Sequence, residues 1–299
     1  MALFLQDYNG AHRLVRIIKS ATEVCTNADL LLIKDDCCTF YPEKIMYPLS
    51  ERNQEDFATL HSGDIIEITN TGRCFRRFDV TENDATIYLG GQCNSNCVMC
   101  PSFDQERQES PEDEEYVRQF IELLPDELPN YVVTGGEPTM QLNLFFESMG
   151  RLAEKIPKAE ALLLTNGRSF SSEKVLDRLL MHCPPFLTVA VPVHGSTSKI
   201  HDTITNSDGS FEQTMQGILN LLNRHMAVEV RIVVTQLNKD DVENIADMIC
   251  DRFPSVLRVN FISLEVRGNC LINRESVYIS PKESFDKSKK AIQKLLAKG

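Results

Sequence analysis

The sequence predicts an α/β protein. It is expected to be a partial (β/α)6 barrel of parallel strands preceded by a small β-rich N-terminal domain. Three observations predict this. Six short apolar runs recur from residue 85 onward. Stretches of helical length separate them, as crossovers between parallel strands require. Before residue 80 that rhythm is absent, and short β-branched runs are broken by Asn, Asp and Gly. The expected division is therefore an accessory domain over 1–80 and a core over 81–299 that ends in a helix.

In the first part, "RLVRIIKS", "DLLLIKD" and "GDIIEIT" read as strands, and "EITNTGRCFRRF" reads as a hairpin turning at Asn70-Thr71-Gly72. In the second part the strands are "ATIYLGG" (85–91), "YVVTGG" (131–136), "ALLLTNG" (161–167), "FLTVAVPVHG" (186–195), "VEVRIVVT" (228–235) and "VLRVNFISLE" (256–265). Helical patterns lie around 113–124, 141–154, 172–181, 210–223 and 239–252, and Pro184-Pro185 stops the third of these. Near-continuous Val/Ile/Leu runs predict strands buried on both faces.

Composition narrows the function. With 299 residues and 42% hydrophobic content the chain can bury one large core and a small second one. No stretch is long and apolar enough to span a membrane, and the start shows no basic region or cleavage site, so no export is expected. Ten cysteines without regular spacing outside one cluster predict reduced thiols in a cytoplasmic protein. A formal charge of −12 argues against a nucleic-acid partner. The acidic stretch 103–128 and the basic tail 282–299 read as solvated helix faces.

Ligands of parallel α/β sheets bind at the carboxyl ends of the strands. The first strand runs into "QCNSNCVMCPS", which places Cys93, Cys97 and Cys100 within eight residues. The second runs into Gly135-Gly136-Glu137-Pro138, the third into Thr165-Asn166-Gly167, the fourth into "PVHG" with His194. Structural zinc takes four closed ligands. A four-iron cluster takes one thiolate per iron, so three thiolates leave one iron open. The missing fourth ligand is then the functional position.

CxxxCxxC after the first strand, with GGEP one crossover later, resembles the radical SAM (S-adenosylmethionine) superfamily over residues 83–265. The resemblance implies that Cys93, Cys97 and Cys100 hold a [4Fe-4S] cluster. It implies that Gly135, Gly136, Glu137 and Pro138 form the segment that receives the SAM ammonium, and that Asn166 lies at the SAM site. Where many members carry an aromatic residue against adenine, this chain has Met99, whose thioether can pack on a π face. The implied chemistry is reductive cleavage of SAM to methionine and a 5′-deoxyadenosyl radical, which abstracts hydrogen from a substrate. It implies a one-electron donor such as flavodoxin or ferredoxin.

The stretch 189–222, with His201-Asp202 and Gly209-Ser210-Phe211, is similar to peptide-modifying members, in particular the maturases of the His-Xaa-Ser system. A peptide or small-protein substrate is the expected partner, held by the N-terminal domain. The chain departs from many peptide maturases in carrying only Cys270 after the core, where they bind auxiliary clusters. A small-molecule substrate and a non-catalytic zinc or iron–sulfur protein are the alternatives. His194 and Arg231 are the candidate catalytic side chains. Arg231 is a charge inside an apolar strand and needs a partner, either an internal Glu or the carboxylate of SAM or substrate. His201 and Asp202 are expected to cap the next helix, and Glu265 and Arg267 to form a surface pair. Cys37 and Cys38 with Cys25 and Cys74 form a weaker metal candidate without CxxC spacing.

Overall fold

The computed structural model describes residues 3–24, 29–34, 36–103 and 113–298, without the Arg52 side chain. Cys25 and residues 104–112 of the acidic stretch lie outside the described residues. The chain divides into two compact units. The first comprises 1–87, 113–131 and 154–159; the second comprises 88–112, 132–153 and 160–299.

The first unit contains β1 (Leu3–Phe4), β2 (Arg13–Ile18), β3 (Leu30–Ile33), β4 (Cys37–Tyr41), β5 (Ile45–Pro48), α1 (Glu51–Ala58), β6 (Ile65–Ile68) and β7 (Arg73–Phe78). They form one seven-stranded sheet in the order β1-β7-β6-β2-β3-β4-β5. Val15, Ile17, Leu31, Phe40, Phe57 and Ile66 fill its core. The expected hairpin joins β6 to β7: Gly72 takes φ +80° and its N–H donates to the Thr69 carbonyl. Only a residue without Cβ adopts that φ at little cost. The sequence reading gave no helix in this region, yet α1 forms, capped by Ser50 Oγ accepting from the Asn53 N–H. Its polar composition hides it, because Phe57 is its one large buried side chain.

Strand β8 (Asp84–Tyr88) and helix α2 (Glu114–Leu123) follow. Glu67, only 8% exposed on β6, accepts from Arg77 Nε and Tyr116 Oη and pairs with His12. Arg16 Nε donates to the Leu123 carbonyl. These bonds hold α2 in the first unit. Cys38 and Cys74 are buried thiols pushed up to about 12 by burial, so they stay protonated and pack as small apolar groups. In this unit the donor atoms that converge are instead those of His61, Asp64 and Asp79. Asp64 is already occupied by the N–H groups of His61 and Val80 and by Arg76 at 3.5 Å.

The second unit carries β9 (Asn130–Thr134, shared at its start with the first unit), α3 (Leu142–Lys155), β10 (Glu160–Leu164), α4 (Glu173–His182) and β11 (Leu187–Pro192). After these come α5 (Ser198–Thr205), α6 (Ser210–Asn223), β12 (Ala227–Val233), α7 (Val242–Arg252), β13 (Arg258–Ile262), α8 (Asn269–Ile272), α9 (Arg274–Val277) and α10 (Pro281–Lys298). The six strands stand in chain order from β8 to β13, the order of a partial barrel. β10, β11, β12 and β13 pair in parallel, with Pro192 opposite Arg231 and Arg231 opposite Asn260.

One expectation needs correction. The strands are not buried on both faces. Ala161, Leu163, Val189, Val191, Val228, Val230 and Ile232 are fully covered. Most alternate positions, Leu162, Leu164, Thr188, Pro192, Arg231, Val233, Asn260 and Ile262, are only half-buried, while Ala190 and Glu229 among them are covered. Because several of these are apolar, the strands read as continuous runs although one face stays open. The basic tail is also more than a solvated face. Lys287, Lys294 and Lys298 of α10 reach Asp240, Asp247 and Asp251 on and beside α7.

Candidate cluster and cofactor site

The backbone ladder between β8 and β9 continues beyond the strands into the cysteine loop. The Leu89 N–H donates to the Thr134 carbonyl at 2.8 Å. The Gly136 N–H donates to Gly90 O at 2.9 Å and the Glu137 N–H to Gln92 O at 2.7 Å. This approach requires the two glycines. A Cβ on Gly135 would sit 2.6 Å from Gly90 O, and one on Gly136 would fall within the radii of Gly91 O and Gln92 O. The glycines were expected to admit a ligand; here they also admit the chain that leads into Cys93.

Cys93, Cys97 and Cys100 are half-buried on this loop and form no disulfide. The Ser95 N–H lies 3.4 Å from Cys93 Sγ, and the Cys100 N–H bonds the Cys97 carbonyl at 3.1 Å. The Asn96 and Val98 N–H groups donate to Thr205 O and Ile204 O at the end of α5. Met99 is buried, at 7% exposure. Three soft donors on a pinned loop, none tied in a disulfide, fit an iron–sulfur cluster with one iron left for another ligand.

Glu137 is 2% exposed. Its Oε1 accepts from the Thr139 N–H, Thr139 Oγ1 and Thr165 Oγ1, at 3.0, 2.6 and 2.8 Å, and its Oε2 accepts from the Asn166 N–H at 2.6 Å. Most of its capacity goes to tying the end of β9 to the end of β10. Pro138 starts a buried 3-10 turn over Pro138–Met140. Asn166 is drawn to the cysteine loop: its Nδ2 donates to Asn94 Oδ1 at 2.6 Å and its Oδ1 accepts the Arg168 N–H at 3.0 Å.

Arg168 was not singled out in the sequence. Its NH1 donates to Asn94 O at 2.5 Å and to Ser95 Oγ and Ser207 Oγ, each at 2.9 Å, while Nε donates to Gln213 Oε1 at 2.7 Å. Its one sequence signal is a cation directly after a strand-end "NG". Its partners lie about forty to seventy positions away and carry no local pattern.

His194 and Arg231 stand apart from this cluster of contacts. His194 is 3% exposed, its Nδ1 has no hydrogen-bond partner, and its ring lies 5.7 Å from that of His201. The His194 N–H donates to His201 Nδ1 at 3.2 Å. Burial, reinforced by the neighbouring His201, pushes His194 down to about 3. Burial pushes His201 down to about 4, with Asp202 opposing and Arg168 adding to the effect. Asp202 caps α6 as expected, accepting from Gly209 N, Ser210 Oγ and Phe211 N. Arg231 lies on the half-open face, its Nε 3.5 Å from Glu229 Oε1 and without a hydrogen bond. The buried Glu229 is held more closely by Arg258, at 2.5 Å. One carboxylate thus faces two guanidiniums and leaves a local excess of positive charge. Arg267 and Glu265 form an exposed pair at 3.2 Å.

The profile of the Radical SAM superfamily matches residues 87–249, more than half of the chain. The chain belongs to that superfamily, whose cofactors are a [4Fe-4S] cluster and SAM. It is 24% identical over 195 residues to the antilisterial bacteriocin subtilosin biosynthesis protein AlbA of Bacillus subtilis (strain 168), covering 63% of this chain and 41% of AlbA. Its fold resembles that of Streptococcus suis SuiB bound to S-adenosylmethionine, with a TM-score of 0.54, 13% identity, and coverage of 73% of this chain and 49% of SuiB. It also resembles anSMEcpe with bound AdoMet and the Cp18Cys peptide, with a TM-score of 0.53, 17% identity, and coverage of 72% and 58%. The chain spans half or less of the length of AlbA and SuiB.

Two outcomes follow for the chain without its cofactors. Glu137→Ala removes the acceptor of four donors, of which Thr139 Oγ1 keeps Ser169 Oγ as a partner, and lowers the unfolding free energy by about 3 kcal/mol in urea titration; an unchanged midpoint contradicts the network. The second concerns pH. His194 and His201 titrate lower in the folded chain than the ordinary histidine value of 6.5. Between about pH 4 and 6.5 the unfolded chain therefore binds the extra protons. Stability is full above that window and falls with pH inside it, by about 2 kcal/mol per histidine at pH 5. His201→Gln removes about half of that drop between pH 7 and pH 5, and an equal drop in both proteins excludes this origin.

Proposed function

We propose that this chain is a radical SAM enzyme that modifies a peptide or small protein. The observation that carries the reading is the packing of GGEP on the backbone leading into Cys93, with Glu137 joining both to Asn166. Cys93, Cys97 and Cys100 would hold the cluster. The carbonyls of Gly135 and Gly136, with the one lone pair left on Glu137 Oε2, would receive the SAM ammonium. Met99 and Asn166 would border the adenosyl group. When bound and reduced, the cluster supplies the electron that cleaves SAM and yields the hydrogen-abstracting radical.

The protein's own task is then orientation and exclusion. Arg168 and Asn166 fix Asn94, and with it the entry of the cysteine loop. The half-open face of the sheet leaves room for a substrate beside the strand ends. Arg231 lies two strands from β10, level with Pro192, on roughly 10 Å of sheet. Its guanidinium, whose buried Nε lies 3.5 Å from Glu229, supplies positive charge for a ligand carboxylate in this reading, and the neutral, buried His194 supports the strand end rather than transferring protons. The peptide assignment draws on AlbA, named for the biosynthesis of a bacteriocin, and on anSMEcpe, solved with a peptide. An external one-electron donor completes the reaction.

The first unit is assigned to substrate recognition. Cutting the chain near residue 80 would not test this, since it would strip α2 of Glu67 and Arg16. Surface substitutions in the sheet are the better probe, with peptide binding as the readout.

Anaerobic reconstitution with iron and sulfide, followed by reduction with dithionite and SAM, is expected to release methionine and 5′-deoxyadenosine from the wild-type chain. Cys97→Ala is expected to lose both the cluster absorption and the cleavage. A Cys97→Ala protein that retains both overturns the assignment. For Arg231→Gln, the KM for the peptide rises at least fivefold while kcat changes less; an unchanged KM removes Arg231 from substrate binding.

A further inference from the structure

We infer that the segment Gly268–Asn273, beyond the last strand, is a built part of the cysteine loop, and that Asn269 and Asn273 are positioning residues for the cluster. The inference rests on the assignment of Cys93, Cys97 and Cys100 as its ligands. Asn269 is 5% exposed. Its Nδ2 donates to Asn96 Oδ1 at 2.9 Å and to the Cys97 carbonyl at 3.3 Å. Asn273 Nδ2 donates to the Val98 carbonyl at 3.0 Å and also to Asn269 O at 3.0 Å, which links the two amides.

The opposite side of the same loop is already taken. The N–H groups of Asn96 and Val98 go to α5. The stretch 96–98 is thus gripped through the N–H groups of Asn96 and Val98 by α5, and through the Asn96 side chain and the carbonyls of Cys97 and Val98 by the C-terminal segment. The peptide plane that follows Cys97 is held at both edges, through the Cys97 carbonyl and the Val98 N–H, and this restrains the direction of the Cys97 side chain. Gly268 brings the segment against the loop's exit: it has φ +58°, and a Cβ there would lie 2.5 Å from Pro101 O and from Ser102 N. No other residue fits without moving the chain just after Cys100.

The residue type matters. An irregular loop costs roughly 1–2 kcal/mol per residue to order. Side-chain amides order it in advance with neutral donors, so they add no charge next to the thiols. Buried polar side chains nearly always find a hydrogen-bond partner, and the buried Asn269 amide finds its acceptors on the loop itself. If the amides served only to hold the C-terminal segment in place, cluster behaviour would not depend on them.

The test uses the full chain, reconstituted anaerobically with iron and sulfide. Iron release to a chelator without denaturant, and the EPR spectrum of the reduced cluster, are compared for wild type, Asn269→Asp, Asn273→Asp and the double Ala variant. The aspartates keep the size but set an acceptor against the carbonyls. The expected result is iron release at least fivefold faster in each variant, with a broadened or shifted spectrum, while circular dichroism shows the fold retained. Release within twofold of wild type with an unchanged spectrum overturns the inference and leaves the cysteine assignment standing. A wild-type chain that takes up no iron overturns that assignment instead. Should the double variant fail to fold, Asn273→Asp, at a half-exposed position, is read by the same two criteria.

Discussion

One buried carboxylate holds the strand ends together. Glu137 accepts from Thr139, Thr165 and Asn166 and so joins the end of β9 to the end of β10. Its own N–H reaches back to Gln92, one residue before Cys93. A buried charge is tolerated only when it is well paired or hydrogen-bonded, and here every donor comes from a segment that must converge for the site to exist. The glycines before it serve the same end by removing the side chains that would keep the cysteine loop away. The GGEP stretch therefore acts first on the protein's own backbone, and any ligand meets a surface that is already assembled.

Around that centre, rigidity and openness are divided. The cysteine loop is pinned through Arg168, α5, Asn269 and Asn273, all within the second unit. The face of the sheet beside it is half-open and carries Arg231 and Arg258 around a single Glu229. A chain with a net charge of −12 thus carries a local positive excess around Glu229. His194, just beyond β11, and His201, on α5, are neutral and contribute packing, since burial suppresses their charge at any ordinary pH.

Much of this was legible in the sequence. The six strands and the five helical stretches between them were readable because long apolar periods carry their own signal. The cysteines and GGEP were readable because their chemistry is compressed into a few residues. Helices α1 and α5 were missed, being only about two turns long and largely polar. The open sheet face was misread because Leu162, Leu164 and Val233 look like core residues from sequence alone. The partners of Glu137, Arg168, Asn269 and Asn273 were invisible for a different reason. Each depends on residues brought together by the fold, and a lone Asn or Arg announces nothing about which distant carbonyl it will meet.

The central claim is that the three-cysteine loop holds a four-iron cluster with one iron free for SAM. EPR of the anaerobically reconstituted, reduced chain tests it most directly, recorded with and without SAM. The account predicts a signal of a reduced [4Fe-4S] cluster whose g-values shift when SAM is added. A chain that binds zinc and gives no such signal, or a cluster signal indifferent to SAM, would contradict it.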